Sequence, residues 1–328
     1  MNPIESIPND LPTNFLIIHT GALGDVICAL TAIECFFSQK MFDFCCQGHI
    51  APLFEIVPNI RNVFDINNPM ISSVFMSVTH PDIIDWLIKY PCILLISFSE
   101  DWERCLNKYN RNIIRIPPRP PVNETVHTVQ FIMDALQRKS LESRNNSGIQ
   151  DFILQKKHRS YKKLNECLWK SVCIHPGSGS VFKNWPIECY LTLSKRLIEK
   201  GHSVGWILGP AEYELMKVLI QNKVNLNDIV QTHHIQTIIK YLTQSDHFVG
   251  NDSGISHLAA YMGVDTTAIF GPSDFRRWRP IGVCVKTIPD TLPLCSPCFE
   301  KGNRHCSHKK CLNDVSVSHV ISNIFQLI

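Results

Sequence analysis

The sequence lacks both a strong excess of charge of one sign and a long uninterrupted apolar run. Of its 328 residues, 32 are Lys or Arg and 29 are Asp or Glu, so the formal net charge is only +3. A domain that grips a nucleic-acid backbone is usually strongly basic, so we expect no nucleic-acid partner. No apolar run approaches the roughly 18 residues of a membrane-spanning helix, so we also expect no transmembrane segment.

The first residues, MNPIESIPNDLPTN, also lack the basic stretch and apolar core of a secretory signal. We therefore expect a protein of the cytoplasm or an equivalent reducing space. The chain has 14 cysteines, which fit this compartment if they are reduced. The first ten, from Cys28 to Cys284, are spread through apolar segments, where reduced cysteine behaves as a small core residue.

Short apolar runs alternate with stretches of helical spacing in two successive series. NFLIIHT (14–20) and CILLISF (92–98) belong to the first series, and SVCIHP and HSVGWILG open the second. The polar segment 142–160 separates them and is read as a linker. Such alternation predicts parallel strands covered on both faces, hence an α/β fold of two doubly wound domains, 1–155 and 156–314. Residues 315–328 have helical spacing and predict a C-terminal helix. Packing of this helix back on the first domain is one possible arrangement.

In doubly wound domains, ligands bind beyond the carboxyl ends of the strands, so two such domains are expected to face a common cleft. The first strand-end motif is Gly21-Ala22-Leu23-Gly24-Asp25. Small residues allow a sharp turn, and the helix that follows presents free N–H groups. Asp25 has two interpretations: a cap of this helix, or a general base at the mouth of the cleft.

The second motif runs from His175 to Ser180 and is followed by Lys183 and the Trp185-Pro186 pair. A loop of hydroxyl and N–H donors with one lysine at a helix start suits a diphosphate. An ordinary glycine- and serine-rich turn with a solvated lysine is the alternative. The third motif, Gly250 to Gly254 with His257 beyond it, again combines caps and donors at a strand end.

Together these motifs resemble glycosyltransferase family 9, the ADP-heptose lipopolysaccharide heptosyltransferases. The matching segments occur in the family's order, over about residues 14–328: GALGDVI at 21–27, HPGSGSVFKNWP at 175–186, GPAE at 209–212, GNDSGISHLAA at 250–260 and IFGPSD at 269–274. The resemblance implies the GT-B architecture of two Rossmann-like domains, an N-terminal one for the acceptor and a C-terminal one for the nucleotide-sugar. It also implies inversion at the anomeric carbon without a metal for the transfer.

The resemblance implies roles for individual residues as well. Asp25 matches the carboxylate that takes the proton of the acceptor hydroxyl, and Lys183 the lysine at the nucleotide-sugar phosphates. Glu212 matches an acidic residue that holds the ribose hydroxyls, and Asp252 a carboxylate that contacts the sugar. Seven further residues are expected near the nucleotide-sugar: Gly24, Ser178, Gly179, Ser180, Ser253, Gly254 and His257. For His257 we favour packing or bracing of the loop, with contact to the ligand as the alternative.

Two departures from the family concern the first motif. Many members have Arg where this chain has His19, and Pro where it has Thr31. Replacing Arg by His removes a fixed charge beside the loop. This difference bears on the acceptor contacts more than on the nucleotide contacts.

A cluster of four cysteines lies near the C-terminus: Cys295, Cys298, Cys306 and Cys311. Four thiols in this spacing fit a tetrahedral zinc or iron site. Similar patterns occur in lipopolysaccharide heptosyltransferases, and a related autotransporter branch holds iron with cysteines at longer spacing. The alternative is a reduced loop that packs near the cleft.

The sequence therefore predicts an inverting glycosyltransferase that moves a heptose from ADP-heptose to a hydroxyl of a lipid-linked, lipopolysaccharide-core-type saccharide at the inner face of the cytoplasmic membrane. Alternatives are a GT-B transferase with another nucleotide-sugar or a protein acceptor, and a relative that binds nucleotide-sugars without catalysis. A metal-dependent interaction module built on the cysteines would leave the three strand-end loops unexplained.

Overall fold

The computed structural model describes residues 14–37, 40–76, 78–139, 148–158, 169–302, 306 and 308–325. The chain divides into two compact units. Unit 1 comprises Met1–Pro120 and Thr128–Phe152, and unit 2 comprises Pro121–His127 and Ile153–Ile328.

Unit 1 is built on a parallel sheet of five strands in the order β3-β2-β1-β4-β5. The strands are β1 (Phe15–Ile18), β2 (Phe42–Cys46), β3 (Ile60–Asp65), β4 (Ile93–Ile96) and β5 (Ile113–Ile116). The helices are α1 (Leu23–Phe36), α2 (Pro69–Ser72), α3 (Pro81–Ile88), α4 (Glu100–Leu106), α5 (Thr128–Arg138) and α6 (Ile149–His158), the last of which spans the boundary between the units. The FLII and ILLI segments of β1 and β4 are buried throughout, as parallel strands covered on both faces must be.

Unit 2 is built on a parallel sheet of six strands in the order β11-β10-β9-β6-β7-β8. The strands are β6 (Lys170–His175), β7 (Val204–Leu208), β8 (Ile229–Gln231), β9 (Ser245–Asn251), β10 (Asp265–Ile269) and β11 (Val285–Ile288). The helices are α7 (Ile187–Glu199), α8 (Tyr213–Gln221), α9 (Ile235–Thr243), α10 (Gly254–Tyr261), α11 (Phe275–Trp278), α12 (Lys310–Asn313) and α13 (Val317–Phe325).

The strand orders place one switch point in each sheet. In unit 1 the chain builds outward from β1 through β2 and β3, and then returns to β4 on the other side of β1. In unit 2 it builds outward from β6 through β7 and β8, and then returns to β9. At such a point the loops after two adjacent strands leave in opposite directions and open a crevice, so the loops after β1, β4, β6 and β9 are where ligands are expected to bind.

The structure differs from the sequence-based expectations in several places. The segment 142–160, read as a linker, contains α6, whose Phe152 is buried. The edge strands β8 and β11 were not predicted. A 3-10 helix that contains Pro52 follows β2 over Gly48–Ile56.

The segment 121–127 lies with unit 2 although unit 1 surrounds it in sequence. Arg277 donates a hydrogen bond to the backbone oxygen of Val122 at 2.8 Å, and the Nε2 atom of His127 lies 2.8 Å from the backbone oxygen of Arg279. The C-terminal helix α13 also packs within unit 2. Its buried residues, which join the core beside α7, are Val320, Ile321 and Ile324.

None of the described helices is both long and apolar enough to cross a membrane. No described cysteine takes part in a disulfide, and most of those upstream of residue 284 are buried, in agreement with their interpretation as reduced core residues.

The core of unit 2 holds histidines in their neutral form. His247 on β9 is 4% exposed, and its Nε2 atom lies 3.0 Å from the hydroxyl of Thr267. Burial lowers the pKa of His247 to about 4, and burial likewise lowers the pKa of His257 to about 4. In the unfolded chain these groups take up a proton near pH 6.5, whereas in the folded chain they do so only near pH 4.

Stability is therefore expected to be complete above pH 6.5 and to fall as the pH drops toward 4, by up to about 3 kcal/mol for each such histidine. Urea unfolding at pH 7, 5.5 and 4.5 measures this loss. His247→Gln should lower stability at pH 7 and should reduce its further loss on acidification. The same change at the exposed His233 is the control and should leave the pH dependence unaltered.

Candidate active site

The first group of candidate residues, the acidic group, lies at the switch point of unit 1. Ala22, and not Asp25, is the N-cap residue of α1, and it makes no side-chain capping hydrogen bond. Asp25 is the third residue of the helix and is half-buried. Its interpretation as the helix cap is therefore wrong. Within the described chain, the carboxylate of Asp25 has no hydrogen-bond or ion-pair partner and interacts electrostatically with His19.

Gly21 is required by the close approach of its neighbours. A Cβ atom at this position would lie 2.8 Å from Cε1 of His19 and 2.9 Å from Cβ of Asp25. Real Cβ atoms do not approach other atoms so closely, so the turn after β1 excludes any side chain here. Gly24, the second residue of α1, places no side chain next to Asp25 at the start of the helix.

The second group of candidate residues, the basic group, lies at the switch point of unit 2. A single turn of 3-10 helix, Val181–Lys183, follows the glycine- and serine-rich loop. It presents Lys183 so that its Nζ atom lies 2.7 Å from Oδ2 of Asp252 and 4.6 Å from the ring centre of Phe299. Asp252 is 6% exposed. Burial would raise the pKa of Asp252, but the charge and hydrogen bond of Lys183 outweigh it and hold the pKa below its ordinary value.

The helix α10 begins beside this ion pair. Ser253 is its N-cap and accepts a hydrogen bond from the backbone N–H of Ser256 at 3.4 Å, while Gly254 is the first helical residue. The other N–H groups of this first turn point away from the helix, as donors for an anion. His257, one turn further along, is buried and stays neutral, with Asp252 among the groups that influence its pKa. Lys183, Asp252, Ser253 and His257 are thus brought together.

The hydroxyls of the glycine- and serine-rich loop are largely engaged within the loop. The Oγ atom of Ser178 lies 2.6 Å from Oδ1 of Asn184 and 2.7 Å from the backbone oxygen of Ser180. Ser180 caps the short helix by accepting from the backbone N–H of Phe182 at 3.4 Å. Gly179 is exposed. This loop therefore offers backbone N–H groups to a ligand more readily than it offers the Ser178 hydroxyl.

Glu212 occupies a separate part of the same loop cluster. One carboxylate oxygen accepts a hydrogen bond from the backbone N–H of Gly209 at 2.8 Å, and the residue is 6% exposed. Its other oxygen lies where a Cβ atom on Gly177 would stand. Glu212 also interacts electrostatically with the buried His175, whose pKa burial lowers. Glu212 is therefore beside the phosphate-type loop but not paired with Lys183.

Asn251 is the residue of the site that the sequence pattern missed. Its Oδ1 atom accepts from the backbone N–H of Trp185 at 2.8 Å and from the hydroxyl of Tyr190 at 3.0 Å. Its Nδ2 atom donates to the backbone oxygens of Pro176 at 2.7 Å and Gly177 at 3.2 Å. The residue joins the two loops that carry Lys183 and Asp252. The signal in the sequence was only an asparagine in a row of capping residues.

The four C-terminal cysteines lie close enough to influence one another. Burial, followed by the neighbouring thiols of Cys295, Cys298 and Cys306, raises the pKa of Cys311 to about 11. Among the described residues, however, no group of three or more His, Cys, Asp or Glu side chains is arranged to hold a metal ion. The described residues therefore do not fit the expected zinc or iron site.

The loop that carries these cysteines contacts the basic group of unit 2. The backbone N–H groups of Cys298 and Phe299 both donate to the backbone oxygen of Pro272, at 3.0 and 3.1 Å. The neighbouring Glu300 accepts from the backbone N–H of Asp274 at 3.0 Å. The Gly271–Asp274 segment thereby anchors the loop, and Phe299 reaches Lys183 from it.

Doubly wound α/β units with small residues, a lysine and a helix start at a switch point are typical of proteins that bind nucleotides. The model of glycosyltransferase family 9 (heptosyltransferase) matches residues 115–309, more than half of the chain, and the chain belongs to this family. A sequence relative is lipooligosaccharide heptosyltransferase 2 of Campylobacter jejuni, 27% identical over 165 residues. That match covers 48% of this chain and 51% of the relative, so the chain aligns with about half the length of the curated relatives it matches.

Solved structures resemble the chain over nearly its whole length. The family 9 glycosyltransferase from Veillonella parvula superposes with a TM-score of 0.71 at 16% identity, covering 97% of this chain and 98% of the other. The E. coli ADP-heptose LPS heptosyltransferase II gives a TM-score of 0.66 at 15% identity, covering 96% and 98%. These likenesses confirm the expected α/β fold class, the GT-B class of two Rossmann-like units. That the two units face a common cleft stays a prediction.

An iron-containing protein is also among the structures with this fold. The dodecameric glycosyltransferase TibC from enterotoxigenic E. coli has a TM-score of 0.59 at 16% identity, covering 97% of this chain and 76% of the other. The likeness shows the fold alone.

Two glycines of the same loop offer a matched test of the site's packing. Gly177→Ala should destabilise the protein by about 1–3 kcal/mol, because its Cβ atom would overlap the buried, anchored carboxylate of Glu212. Gly179→Ala should change stability by less than about 0.5 kcal/mol, because nothing lies within 4 Å of its Cβ position. Thermal unfolding of the two variants measures the difference. Equal stability of both would show that Glu212 is not fixed beside Gly177.

Proposed function

We propose that the chain is an inverting glycosyltransferase that transfers a heptose from ADP-heptose to a hydroxyl group of a lipopolysaccharide-core-type saccharide. The observation that carries the proposal is the Lys183–Asp252 pair at the start of α10, in a member of glycosyltransferase family 9. Unit 2 holds the nucleotide-sugar in this proposal, and unit 1 supplies the base.

The basic group of unit 2 suits a diphosphate. Lys183 supplies a cation, and α10 and the loop at 177–180 supply backbone N–H donors. Ser178, Gly179, Ser253 and Gly254 are assigned to this role mainly through their backbone N–H groups. Ser180 is assigned to shaping the loop, because its own N–H donates to Oγ of Ser178 at 3.2 Å. Glu212, with one carboxylate oxygen not engaged by Gly209, is assigned to the ribose hydroxyls.

Asp252 and His257 are assigned to the sugar side of the donor. Asp252 is held in its ionised form by Lys183, so it accepts hydrogen bonds only, as a carboxylate that binds sugar hydroxyls must. His257 is buried and neutral, and we assign it to bracing the loop beside Asp252.

Asp25 is the general base of the proposed reaction. It takes the proton of the acceptor hydroxyl, and the oxygen's electron pair forms a bond to the anomeric carbon from the face opposite the diphosphate. The bond between that carbon and the diphosphate oxygen breaks, and its electron pair leaves with ADP. Lys183 and the N–H donors stabilise the charge that develops on the leaving group. No step of this reaction uses a metal.

The names of the relatives support the assignment of the acceptor. The Campylobacter jejuni relative is named for lipooligosaccharide, and the E. coli structure for ADP-heptose and LPS. We therefore assign the acceptor to the saccharide core of a lipid-linked glycan. The inner face of the cytoplasmic membrane stays a prediction for the place of the reaction, and the net charge of +3 permits contact with an anionic lipid surface.

Release of free ADP from ADP-heptose, measured with and without a core-type acceptor saccharide, tests the proposal. Acceptor-dependent release with an inverted anomeric configuration in the product is the expected result. Asp25→Asn should keep donor binding and lower transfer by about 10²–10⁴-fold, the typical contribution of a general base. Asp82→Asn is the control, because Asp82 also lies in the first turn of a helix of unit 1. Near wild-type transfer by Asp25→Asn would remove Asp25 from the role of base.

Lys183→Ala should weaken ADP binding about tenfold or more, since a hydrogen bond to a charged group contributes about 1.5–3 kcal/mol. It should also lower turnover, because the charge on the leaving diphosphate grows in the transition state. Calorimetric titration of ADP beside steady-state kinetics separates the two effects. The exposed Lys217, paired with Glu214 on α8, is the control for loss of one positive charge. If Lys183→Ala changes neither ADP affinity nor turnover, the diphosphate binds elsewhere.

A further inference from the structure

His19 is a buried histidine at the switch point of unit 1. It directly follows β1 and is 3% exposed. Its backbone N–H donates to the oxygen of Cys45 in β2, and its Nδ1 atom lies 2.9 Å from the backbone oxygen of Ile96 at the end of β4. The ring therefore spans the crevice between β1 and β4, where the loop that carries Asp25 also begins.

These contacts determine which ring nitrogen of His19 carries the proton. A carbonyl oxygen only accepts hydrogen bonds, so Nδ1 must be the protonated nitrogen of the neutral ring, and Nε2 presents a lone pair. Burial lowers the pKa of His19, while the hydrogen bond to Ile96, the charge of Asp25 and the backbone of Asp25 oppose that effect. The neutral ring thus has one acceptor atom left to satisfy.

Nε2 of His19 is a buried acceptor that has no hydrogen-bond partner in the described chain. Its neighbours explain why. A Cβ atom on Gly21 would lie 2.9 Å from Nε2 and equally 2.9 Å from Cβ of Asp25, so both atoms border the same small space that the glycine leaves open. An ionised Asp25 is itself only an acceptor and has no proton to offer to Nε2.

Asp25 becomes a donor at one step of the proposed reaction. When it takes the proton of the acceptor hydroxyl, its carboxyl group carries an O–H. We propose that His19 is a positioning residue for the general base, and that its Nε2 atom accepts a hydrogen bond from Asp25 once Asp25 is protonated. This inference rests on the proposed function, in which Asp25 is the base.

The consequence for the base follows from the direction of this hydrogen bond. A hydrogen bond to the neutral form of a carboxyl group stabilises that form and makes the carboxylate a stronger base. A permanently charged side chain at position 19 would do the opposite. A neutral histidine thereby favours proton uptake by Asp25 at the moment when the acceptor oxygen attacks.

The charged and titratable groups around the pair are few. Asp25 itself comes from the first turn of α1. From β2 come Cys45 and Cys46; burial raises the pKa of both, that of Cys46 to about 12, so they stay neutral. The strand β4 contributes only the apolar ILLI segment. A change in the pH profile on replacing His19 therefore reports on Asp25.

Two substitutions separate the two ring nitrogens. His19→Asn keeps a donor near the position of Nδ1 and removes Nε2, whereas His19→Gln keeps an acceptor near the position of Nε2. In His19→Asn we expect the acid limb of kcat/KM to move to lower pH by about half to one unit, with kcat reduced by up to about tenfold and KM for the donor little changed. In His19→Gln both the shift of the acid limb and the loss of kcat should be smaller than in His19→Asn. The same replacement at the exposed His49 in unit 1 is the control.

A second measurement leaves His19 unchanged and so does not depend on the folding of its variants. Asn at position 25 carries an N–H donor, whereas Ala carries none. The ¹⁵N resonance of Nε2 in labelled His19 should therefore shift toward the hydrogen-bonded value in Asp25→Asn and not in Asp25→Ala. Identical resonances in both variants, or a wild-type pH profile in a folded His19→Asn, would overturn the inference.

The failure of this inference is distinguishable from the failure of the proposed function. If Asp25→Asn still transfers sugar, Asp25 is not the base and the proposed reaction fails at that step. If Asp25→Asn is inactive while His19→Asn keeps the wild-type pH profile, the base assignment stands and only the role of His19 is overturned.

Discussion

The fully satisfied amide of Asn251 is the interaction on which the organisation of unit 2 depends. An amide side chain has two acceptor lone pairs and two N–H donors, and Asn251, which is completely buried, uses all four. Its partners belong to the loop after β6 and to the start of α7, while Asn251 itself ends β9. No other side chain of this size offers two donors and two acceptors at one point, and an aspartate would set an acceptor against two carbonyl oxygens. Asn251, an uncharged residue with no part in the proposed chemistry, therefore fixes the positions of the adjacent Asp252 and the nearby Lys183.

Each unit has a buried, neutral histidine near the carboxylate of its candidate residues. In each, a buried histidine stands at the carboxyl end of the first strand of the sheet, His19 directly after β1 and His175 as the last residue of β6. Each turns its Nδ1 atom to a backbone oxygen of a neighbouring strand, His19 to Ile96 and His175 to Ile207. Each ring also interacts electrostatically with one carboxylate, Asp25 in unit 1 and Glu212 in unit 2. Burial keeps both rings neutral, so each ties two strands together without adding a charge beside its carboxylate. The carboxylates can then serve different partners, an acceptor hydroxyl in one unit and a ribose in the other, as the proposed function requires.

Burial and spacing made part of this architecture predictable. The central strands are continuous apolar runs, and the loops after β1, β6 and β9 stand out as small polar residues before a helix. The edge strands β8 and β11 escaped prediction because they are short and only half-buried, so neither forms a continuous apolar run that stands out in the sequence. The role of Asn251 escaped because a hydrogen-bonding asparagine and a capping asparagine look alike in sequence. The cysteine spacing suggested a metal site, yet Cys311 is a buried part of the core near α12, a packing role that spacing alone does not reveal. Pattern thus identifies which residues reach a strand end, whereas partners from distant segments decide what each one does there.

The pairing of Lys183 with Asp252 has a consequence for catalysis in the proposed reaction. Asp252 holds the ammonium group at 2.7 Å and Phe299 contacts it from another side, so the cation is in position before a donor binds. The carboxylate offsets part of the attraction between Lys183 and the diphosphate of the intact nucleotide-sugar. As the sugar departs, negative charge accumulates on the diphosphate, and its attraction to the fixed cation grows. A cation that is held in place by a carboxylate thus interacts less strongly with the bound substrate than with the transition state. This difference is the condition for raising turnover and not only affinity. The loop that carries Phe299, anchored at Pro272, is in this view part of the device that keeps the cation where the leaving group needs it.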